Sequence, residues 1–304
     1  MKKYYIYFIL LPVLLFSCAI YQRIQDDHRW SIGIYEGPTL FDLAPGSDTD
    51  NPVLTADDVV DIPAVFVADP FLIFKNEKYF MFFEVLNRKN NQGEIAYAES
   101  TDGKKWHYRK VVLREPFHLS YPYVFEWNGD FYMIPESYQD DSVRLYKALE
   151  FPDKWEFAGK LLTGDQYSDA SIFRYQDKWW MFVSDTRSNV LNLYFSDELT
   201  KGWRPHAKNP ILKSNKHFSR PAGRVIMDKG KLFRFAQDDD PDYGIQVFAF
   251  EIVELSETAY ADRLVSEKPI ITKTGTGWNA AGMHHVDPWQ TGDGWMSAVD
   301  GRCR

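Results

Sequence analysis

The stretch Asp69-Pro-Phe-Leu-Ile-Phe-Lys-Asn-Glu-Lys-Tyr-Phe-Met-Phe-Phe-Glu84 contains an apolar run, a polar turn, a second apolar and aromatic run, and a final acid. Aromatic and β-branched runs on either side of a short polar turn predict a β-hairpin. The same order of features returns four more times, at residues 121–136, 169–185, 220–238 and 285–300. A regular recurrence of this kind indicates a repeat architecture.

Each hairpin is followed by further strand-like sequence, typically an apolar stretch and then a turn with a Trp or Tyr beyond it. Four strands in each of five repeats predict an all-β protein, a five-bladed β-propeller. The fifth copy contains only its first two strands, so we expect the N-terminal segment, through residues 30–35 and 51–55, to close the last blade. Closure leaves no free sheet edge to aggregate. An open β-sandwich is the alternative, but it would not require the same element order five times.

Composition narrows the classes of partner. Of the 304 residues, 45% are hydrophobic and 16% are aromatic, and the formal charge is −8. This charge disfavours nucleic acid and anionic membrane surfaces. Aromatic rings beyond those needed between blades would suit the weakly apolar faces of sugars. We therefore expect a monomer whose partner is an oligosaccharide or polysaccharide.

The first residues have the form of an export signal. Lys2 and Lys3 precede an apolar run over residues 4–16, which is short for a membrane span. Ser17 directly before Cys18 resembles a bacterial lipoprotein signal, and this resemblance implies that Cys18 is lipidated. An ordinary signal peptide or an uncleaved anchor is the alternative. We expect a signal over residues 1–17, a tether over 18–29 and one propeller domain over 30–304, held at the cell envelope, periplasmic or surface-exposed, by its lipid alone.

Propeller geometry predicts where the polar residues meet. The first strand of each blade lines the central tunnel and the second runs antiparallel to it, so strand-one starts and strand-two ends share one mouth. The starts are Asp69, Tyr121, Asp169, Arg220 and the segment from His285 to Asp287; the ends are Glu84, Glu136, Asp185, Asp238 and Asp300. His118 and His284 are expected nearby. Crowded carboxylates in a partly dry site raise one another's pKa, which allows a general acid and a general base to coexist.

Structural roles compete with these assignments. Asp69 and Asp287 each precede a proline, where an aspartate often caps backbone amides. Glu136 could pair with Arg220 or Arg144, and buried, hydrogen-bonded histidines are at least as common as metal-binding or acidic ones. The acidic run 238–242 lacks the spacing of a calcium loop and is typical of a solvated turn. No cofactor is predicted, and a cation such as calcium in the tunnel is left open.

The sequence resembles the N-terminal domain of the glucosamine inositolphosphorylceramide transferase family. The resemblance rests on motifs spread over most of residues 66–262: FHLSYPYVFE (117–126), YMIPES (132–137), WWMF (179–182), WRPH (203–206), SRPAG (219–223), AQD (236–238) and YG (243–244). In the plant members, transferase chemistry is attributed to a separate downstream domain. The resemblance therefore implies that this segment is related to the N-terminal domain of the family. The family name is not evidence that these residues carry transferase activity.

More distantly, the architecture and the Ala68-Asp69-Pro70 opening resemble the five-bladed propeller glycosidases, which include arabinanases, β-xylosidases, invertases and levansucrases. In that clan an Asp at the start of blade one is base or nucleophile, an Asp at blade two tunes and orients, and a Glu at blade three is the acid. Asp69 matches the first position. Tyr121-Pro122 stands in place of the second, and Asp169 in place of the Glu.

Three functions follow as hypotheses. The first is a glycoside hydrolase-like enzyme with Asp69 as base or nucleophile and Glu136 or Asp169 as acid, the other tuning pKa values. Its substrate-binding residues would be Glu84, His118, Tyr121, Asp185, Arg220, Gln237, Asp238, His284, His285 and Asp287, with Arg220, Gln237 and His285 on sugar hydroxyls or an acidic substituent. The second is a non-catalytic glycan-binding lipoprotein. The third is a glycosyltransferase-related protein.

Overall fold

The computed structural model describes residues 29–185, 187–292 and 294–303. The described ranges do not include Cys18, the expected signal over residues 1–17 or any of the expected tether except Arg29. The chain begins with two strands that belong to the last blade, β1 (Trp30–Gly37) and β2 (Ala44–Pro45), and then builds five sheets in a ring. The predicted all-β, five-bladed propeller is confirmed. Among the described residues, no helix reaches the length and apolar character that crossing a membrane requires.

The blades follow one another along the chain. Blade one contains β3 (Ala64–Lys75), β4 (Lys78–Asn87), β5 (Gln92–Ser100) and β6 (His107–Leu113). Blade two contains β7 (Ser120–Trp127), β8 (Asp130–Glu136), β9 (Ser142–Glu150) and β10 (Lys154–Thr163). Blade three contains β11 (Tyr167–Tyr175), β12 (Lys178–Asp185), β13 (Val190–Ser196) and β14 (Arg204–Pro205).

Blade four has a divided first strand. The strands of blade four are β15 (Arg220–Pro221), β16 (Ile226–Asp228), β17 (Lys231–Asp238), β18 (Gln246–Leu255), β19 (Tyr260–Leu264) and β20 (Ile271–Thr272), and β15 and β16 are the two parts of the divided strand. Both β15 and β16 pair with β17. The residues between them, which include Gly223, leave the sheet and come close to blade five. A Cβ added at Gly223 would lie 1.8 Å from the carbonyl oxygen of Val286, so the close approach requires glycine.

The N-terminal segment closes blade five as predicted. This blade contains β21 (Val286–Thr291) and β22 (Gly294–Arg302), and β1 pairs along the whole of its length with β22. The outer strand differs from the expectation: β2 pairs with β1, whereas the expected segment 51–55 contributes a single bridge between Leu54 and Ile32. Asn51 instead uses its side-chain amide to bond both main-chain groups of Ile34, at 2.7 and 2.9 Å.

Apolar side chains on adjacent sheets fill the spaces between blades. Between blades five and one, for example, Ile34, Val67, Leu72 and Phe83 are fully buried in one cluster. Burying such a side chain contributes roughly 1.5–3 kcal/mol. The clusters make the ring rigid, and a rigid ring holds the polar residues at the tunnel mouth in place.

Candidate active site at one end of the tunnel

A pocket of about 170 Å³ opens at the end of the tunnel where the first strands begin. Its lining comes from four blades and from the loops that precede them: Trp30, Phe66, Ala68, Asp69, Glu84, His118, Ser120, Glu136, Arg220, Tyr243 and His284. A groove of about 350 Å³ between blades four and five is larger, but no carboxylate lines it. The pocket at the tunnel mouth is therefore the better candidate for acid–base chemistry.

A repeated backbone irregularity marks the start of three first strands. Asp69, Tyr121 and Asp169 occupy equivalent positions in blades one, two and three, and all three have left-handed backbone angles, with φ of 54°, 45° and 53°. The pairing register of each strand shifts at this point. Non-glycine residues in this conformation cost free energy and cluster at functional sites.

The shifted backbone turns each of these N–H groups toward a carboxylate of the preceding blade. The Asp69 N–H donates to Asp300 Oδ2 at 3.1 Å, the Tyr121 N–H to Asp69 Oδ2 at 3.2 Å, and the Asp169 N–H to Glu136 Oε2 at 3.2 Å. The carboxylates thus hold neighbouring blades together. The structural alternative for Asp69, in which an aspartate accepts a backbone N–H, is therefore present in the structure. Each carboxylate has a second oxygen that this contact does not use.

Asp300, His284 and Asp69 form a chain of contacts into the pocket. Asp300 accepts the main-chain N–H groups of His284 and His285 at 3.0 Å each, and it lies 2.7 Å from His284 Nδ1. His284 Nε2 then lies 3.5 Å from Asp69 Oδ1. Although burial opposes the charged form, Asp300 raises the pKa of His284. Burial likewise favours a protonated Asp300, yet the histidine holds the pKa of that carboxyl below its usual range.

Arg220 joins the acids on the other side of the pocket. Its Nε donates to Asp169 Oδ2, and its Nη2 lies 3.8 Å from Glu136 Oε2. Gln237 also donates to Asp169 Oδ2, at 3.1 Å. Glu136 accepts the Ser120 hydroxyl at 3.1 Å in addition to the Asp169 N–H. Specific donors therefore hold the carboxyl oxygens of both Asp169 and Glu136 in place.

Glu84 has a different environment. Its side chain is buried, and Oε1 has no hydrogen-bond partner. His118 Nε2 is 3.3 Å from this oxygen, while His118 Nδ1 accepts the Gly93 N–H at 2.9 Å. Burial, reinforced by the charge of Asp69, raises the pKa of Glu84 well above its ordinary value. Burial lowers the pKa of His118 to about 4.

Burial also raises the pKa of two other acids, Asp69 and Asp169. Burial raises the pKa of Asp69 to about 7 against the opposing effect of His284. Burial also raises the pKa of Asp169 to about 7, although Arg220 opposes the shift. A carboxyl with a pKa near the working pH can both accept and release a proton, which is the property that general acid–base catalysis needs.

The raised pKa of Asp69 predicts a pH-dependent difference between wild type and Asp69→Asn. Between the unfolded pKa near 3.8 and the folded value near 7, the folded protein binds the extra proton, so wild-type stability falls as pH rises. The asparagine variant lacks this loss. We therefore expect the free energy of urea unfolding of Asp69→Asn, minus that of wild type, to increase from about pH 4 to about pH 7 and then to level off. A pH-independent difference would contradict the shift.

Tyr121, His285 and Asp287 lie deeper in the tunnel than the pocket. Tyr121 is 1% exposed, and its hydroxyl bonds Ser171 and both main-chain groups of Gly223. His285 packs edge-on against Phe71 and Tyr121, and burial lowers its pKa to about 3. Asp287 is fully buried against Arg224. Their contacts connect blades across the tunnel.

The position of Tyr121 predicts a loss of stability for Tyr121→Phe. Without the hydroxyl, the buried Gly223 N–H has no acceptor, and an unsatisfied buried donor costs about 1–3 kcal/mol. Urea unfolding should show that loss, whereas Tyr175→Phe, which removes a hydroxyl bonded only to Gln176, should change little. An unchanged unfolding free energy for Tyr121→Phe would show that this hydroxyl does not stabilise the tunnel.

Asp185 and Asp238 lie away from the pocket. Asp185 accepts from Arg187 and Ser188 at the surface, and Asp238 accepts from His217 and Gln246. The residues that precede them, Ser184 and Gln237, occupy the strand-two position of Glu84, Glu136 and Asp300. Because successive side chains of a strand point to opposite faces, a shift of one residue moves the acid out of the mouth.

Three aromatic residues that line the pocket, Trp30, Phe66 and Tyr243, were not among the predicted site residues. The ring of Trp30, in β1, is 4.0 Å from that of His284 at an angle of 32°. Tyr243 packs edge-on against His284 and lies under the Arg220 guanidinium. Trp30 could have been predicted as a site residue, because it begins the segment 30–35 that was expected to complete blade five. A strand that completes this blade passes the mouth of the tunnel. Tyr243 lies in a loop with no comparable signal.

One group of described residues has the composition of a cation site. Ligand atoms of Asp69, His284 and Asp300 lie within 4.8 Å of one another. In this arrangement His284 Nδ1 bonds Asp300, and only Nε2 faces the pocket. The three side chains therefore contact one another directly, His284 bonding Asp300 through Nδ1 and lying 3.5 Å from Asp69 Oδ1 through Nε2.

Comparison with known proteins places the chain in a family. Residues 23–302 match the family described as glucosamine inositolphosphorylceramide transferase 1, N-terminal, and the chain belongs to it. Glucosamine inositolphosphorylceramide transferase 1 of Oryza sativa subsp. japonica is 34% identical over 301 residues, which are 91% of this chain and 40% of that protein. The Arabidopsis thaliana protein of that name is 30% identical over 309 residues, 94% and 40% of the two chains. The chain thus spans well under half the length of these relatives.

Solved structures confirm the architecture. Zg3597, a family 117 glycoside hydrolase from the marine bacterium Zobellia galactanivorans, superimposes with a TM-score of 0.56 over 91% of each chain, at 15% sequence identity. Identity this low shows a shared glycoside hydrolase-like fold and nothing finer about chemistry.

Proposed function

We propose that this protein is a carbohydrate-active enzyme of the glycoside hydrolase type, which cleaves a glycan bound at the tunnel mouth by general acid–base chemistry. The observation that carries the proposal is the convergence of three buried carboxyls, Asp69, Glu84 and Glu136, on one pocket. Asp169 does not line the pocket itself but accepts a hydrogen bond from Arg220, which does, and burial raises the pKa of both Asp69 and Asp169 to about 7. Trp30 and Tyr243 supply aromatic surface for a sugar ring.

Within this function Asp69 has one of two roles. It is either the base that takes a proton from the attacking water or the nucleophile that itself attacks the anomeric carbon. A second carboxyl protonates the leaving oxygen, and the sequence pattern favoured Glu136 or Asp169 for that role. Arg220 and His284 are placed to bind hydroxyls or an acidic substituent. Glycoside hydrolysis generally requires two carboxyl groups on opposite sides of the scissile bond.

The test is incubation with a panel of bacterial cell-envelope and plant glycans, followed by chromatography of released sugars. Product release supports the hydrolase. Retention of a glycan without any product supports the second candidate, a non-catalytic glycan-binding protein. That candidate is favoured by one observation: Asp300, Glu136 and Asp69 each accept a main-chain N–H of the next blade, which is a purely structural use of a carboxylate.

A third candidate, a transferase-related protein, is favoured by the name of the plant relatives alone. If the pocket recognises the sugar part of a glycolipid, the protein should bind a soluble glycan headgroup in isothermal titration calorimetry. Transfer of a sugar from a nucleotide-sugar donor to that acceptor would support this candidate over the hydrolase. Hydrolysis of the glycan without a donor would support the hydrolase.

We also propose that the protein is exported and held at the cell envelope by a lipid on Cys18. The support is the sequence of residues 1–18. Labelling of cells with a radioactive fatty acid should mark wild type and leave Cys18→Ser unlabelled. Equal labelling of both proteins would contradict the assignment of the cysteine.

A further inference from the structure

The carboxyls around the pocket differ in what neutralises them. Asp300 has His284, Asp169 has Arg220 and Gln237, and Glu136 has Ser120 and a main-chain N–H. Asp69 has a main-chain N–H on one oxygen and His284 near the other. Each of these carboxyls therefore has at least one hydrogen-bond donor or basic side chain beside it. Among the described residues, Glu84 Oε1 is the one buried carboxyl oxygen of this group that makes no hydrogen bond; the donor atom near it, His118 Nε2, lies 3.3 Å away.

The neighbour of that oxygen is a histidine with a defined tautomer. Because His118 Nδ1 accepts the Gly93 N–H, its proton must be on Nε2, which faces Glu84 Oε1 at 3.3 Å. The main-chain N–H of His118 donates to Gln139 at 2.9 Å, which fixes the loop before blade two. A Cβ at Gly93 would lie 2.1 Å from the Leu119 carbonyl oxygen and 2.7 Å from Glu84 Oε1, so this contact depends on glycine.

We propose that Glu84 is the proton donor of this site and that His118 is its positioning residue; the inference rests on the proposed hydrolase function. Glu84 lines the pocket, is buried and has an oxygen that makes no hydrogen bond. It lies in the second half of β4, where Ala68 of β3 is its cross-strand partner. Glu84 is therefore one residue away from Asp69 across the strand pair. A neutral histidine beside it adds no positive charge that would force ionisation.

The step balances without a further reactant. The Glu84 carboxyl proton moves to the glycosidic oxygen as the bond from that oxygen to the anomeric carbon breaks, and the bonding electron pair stays with the oxygen. A water molecule loses a proton to Asp69 and its oxygen forms the new bond to the anomeric carbon. One water is added across the bond, Glu84 ends as the carboxylate and Asp69 ends protonated, and exchange with solvent restores both.

The groups that act on Glu84 support a protonated resting state. Its own blade contributes Asp69, blade two Glu136, blade three Asp169 and blade five Asp300, all carboxyls that raise its pKa in addition to burial. The basic side chains of the pocket, Arg220 and His284, already pair with Asp169 and Asp300 respectively. His118, from the loop before blade two, is neutral above about pH 4.

The test compares two leaving groups. A general acid matters for a poor leaving group and much less for an activated one, and its removal typically costs about a hundredfold to ten-thousandfold. We expect Glu84→Gln to lose that factor in kcat/KM on the glycan cleaved by wild type and to keep most activity on the 2,4-dinitrophenyl glycoside of the same sugar. Glu136→Gln and Asp169→Asn are the matched controls, with equal losses on both substrates.

A second measurement does not depend on activity. Difference infrared spectra of wild type and Glu84→Gln near neutral pH should contain the carbonyl stretch of a protonated carboxyl that the variant lacks. Glutamine matches the protonated acid in shape, so thermal unfolding should be unchanged. Equal losses on both leaving groups, a leaving-group dependence that belongs to Glu136→Gln instead, or no protonated band would each overturn the assignment of Glu84.

His118 is tested with two variants. His118→Asn can still accept the Gly93 N–H but removes the Nε2 proton donor near Glu84. Because a donor near a carboxyl favours its ionised form, its loss should raise the pKa of Glu84 and move the alkaline limb of the pH–activity profile to higher pH. His118→Gln, whose amide reaches the Nε2 position, should restore the limb. An unmoved limb overturns the positioning role. If wild type cleaves no glycan, the hydrolase function fails first; if it cleaves one and Glu84→Gln behaves like its controls, only this inference fails.

Discussion

Replacing Asp69 by asparagine should lower turnover by about a hundredfold to ten-thousandfold while leaving the fold intact. Asp69 is buried at the tunnel mouth, its pKa is raised to about 7, and His284 lies 3.5 Å from its Oδ1. Asparagine keeps an oxygen that can accept the Tyr121 N–H, so the contact between blades one and two survives. The variant loses only the ability to take a proton or to attack.

The measurement is the initial rate of sugar release at saturating glycan, with circular dichroism to verify the fold. Asp185→Asn is the matched control, because Asp185 ends the second strand of its blade but bonds Arg187 and Ser188 at the surface. It should retain wild-type turnover. An Asp69→Asn protein with normal turnover would refute Asp69 as base or nucleophile. A folded variant that binds glycan and releases nothing is the expected outcome.

The largest effect on stability is expected from the ion pair between Arg224 and Asp287 inside the tunnel. Arg224 Nε and Nη2 donate to the two oxygens of Asp287 at 2.5 and 3.1 Å. Arg224 also donates to the Leu72 carbonyl at 3.0 Å, and Asp287 accepts the Leu72 N–H at 2.6 Å. The pair therefore joins blades four and five to blade one.

Removing one partner should cost about 3–5 kcal/mol, because it leaves a buried charge without compensation. We expect this loss in urea unfolding of Arg224→Met, and again of Asp287→Asn. The double variant should be more stable than the sum of the two losses predicts, since it leaves no lone charge. Strict additivity of the two single losses would contradict a direct coupling of the two side chains.

Much of the fold could be predicted from the sequence because the repeat is written in local patterns. Apolar runs, turns and their recurrence every few tens of residues identify hairpins without knowledge of long-range contacts. The closing role of residues 30–35 followed from the two strands that the fifth copy lacks, and β1 lies where that argument placed it. The outer strand β2 could not be predicted, because two residues carry no periodic signal.

The candidate site was less predictable. Asp69, Glu84, Glu136 and His284 line the pocket, as ring geometry suggested. Asp185 and Asp238 do not, because the strand alternates faces at every residue and the repeat alone does not reveal which of two adjacent residues points inward. Tyr121 holds the place of an Asp in the glycosidase clan, but its long side chain continues down the tunnel to Gly223.

By itself, the sequence determined that this protein is a closed ring of five β-sheets with acidic residues at recurring positions, because hairpin patterns depend on neighbours along the chain. The tertiary structure alone decided which acids meet, which of them pair with Arg220 or His284, and that Glu84 Oε1 makes no hydrogen bond. Those properties depend on ring closure and on burial, which bring together residues more than two hundred positions apart and remove the water that would otherwise make the carboxyls alike.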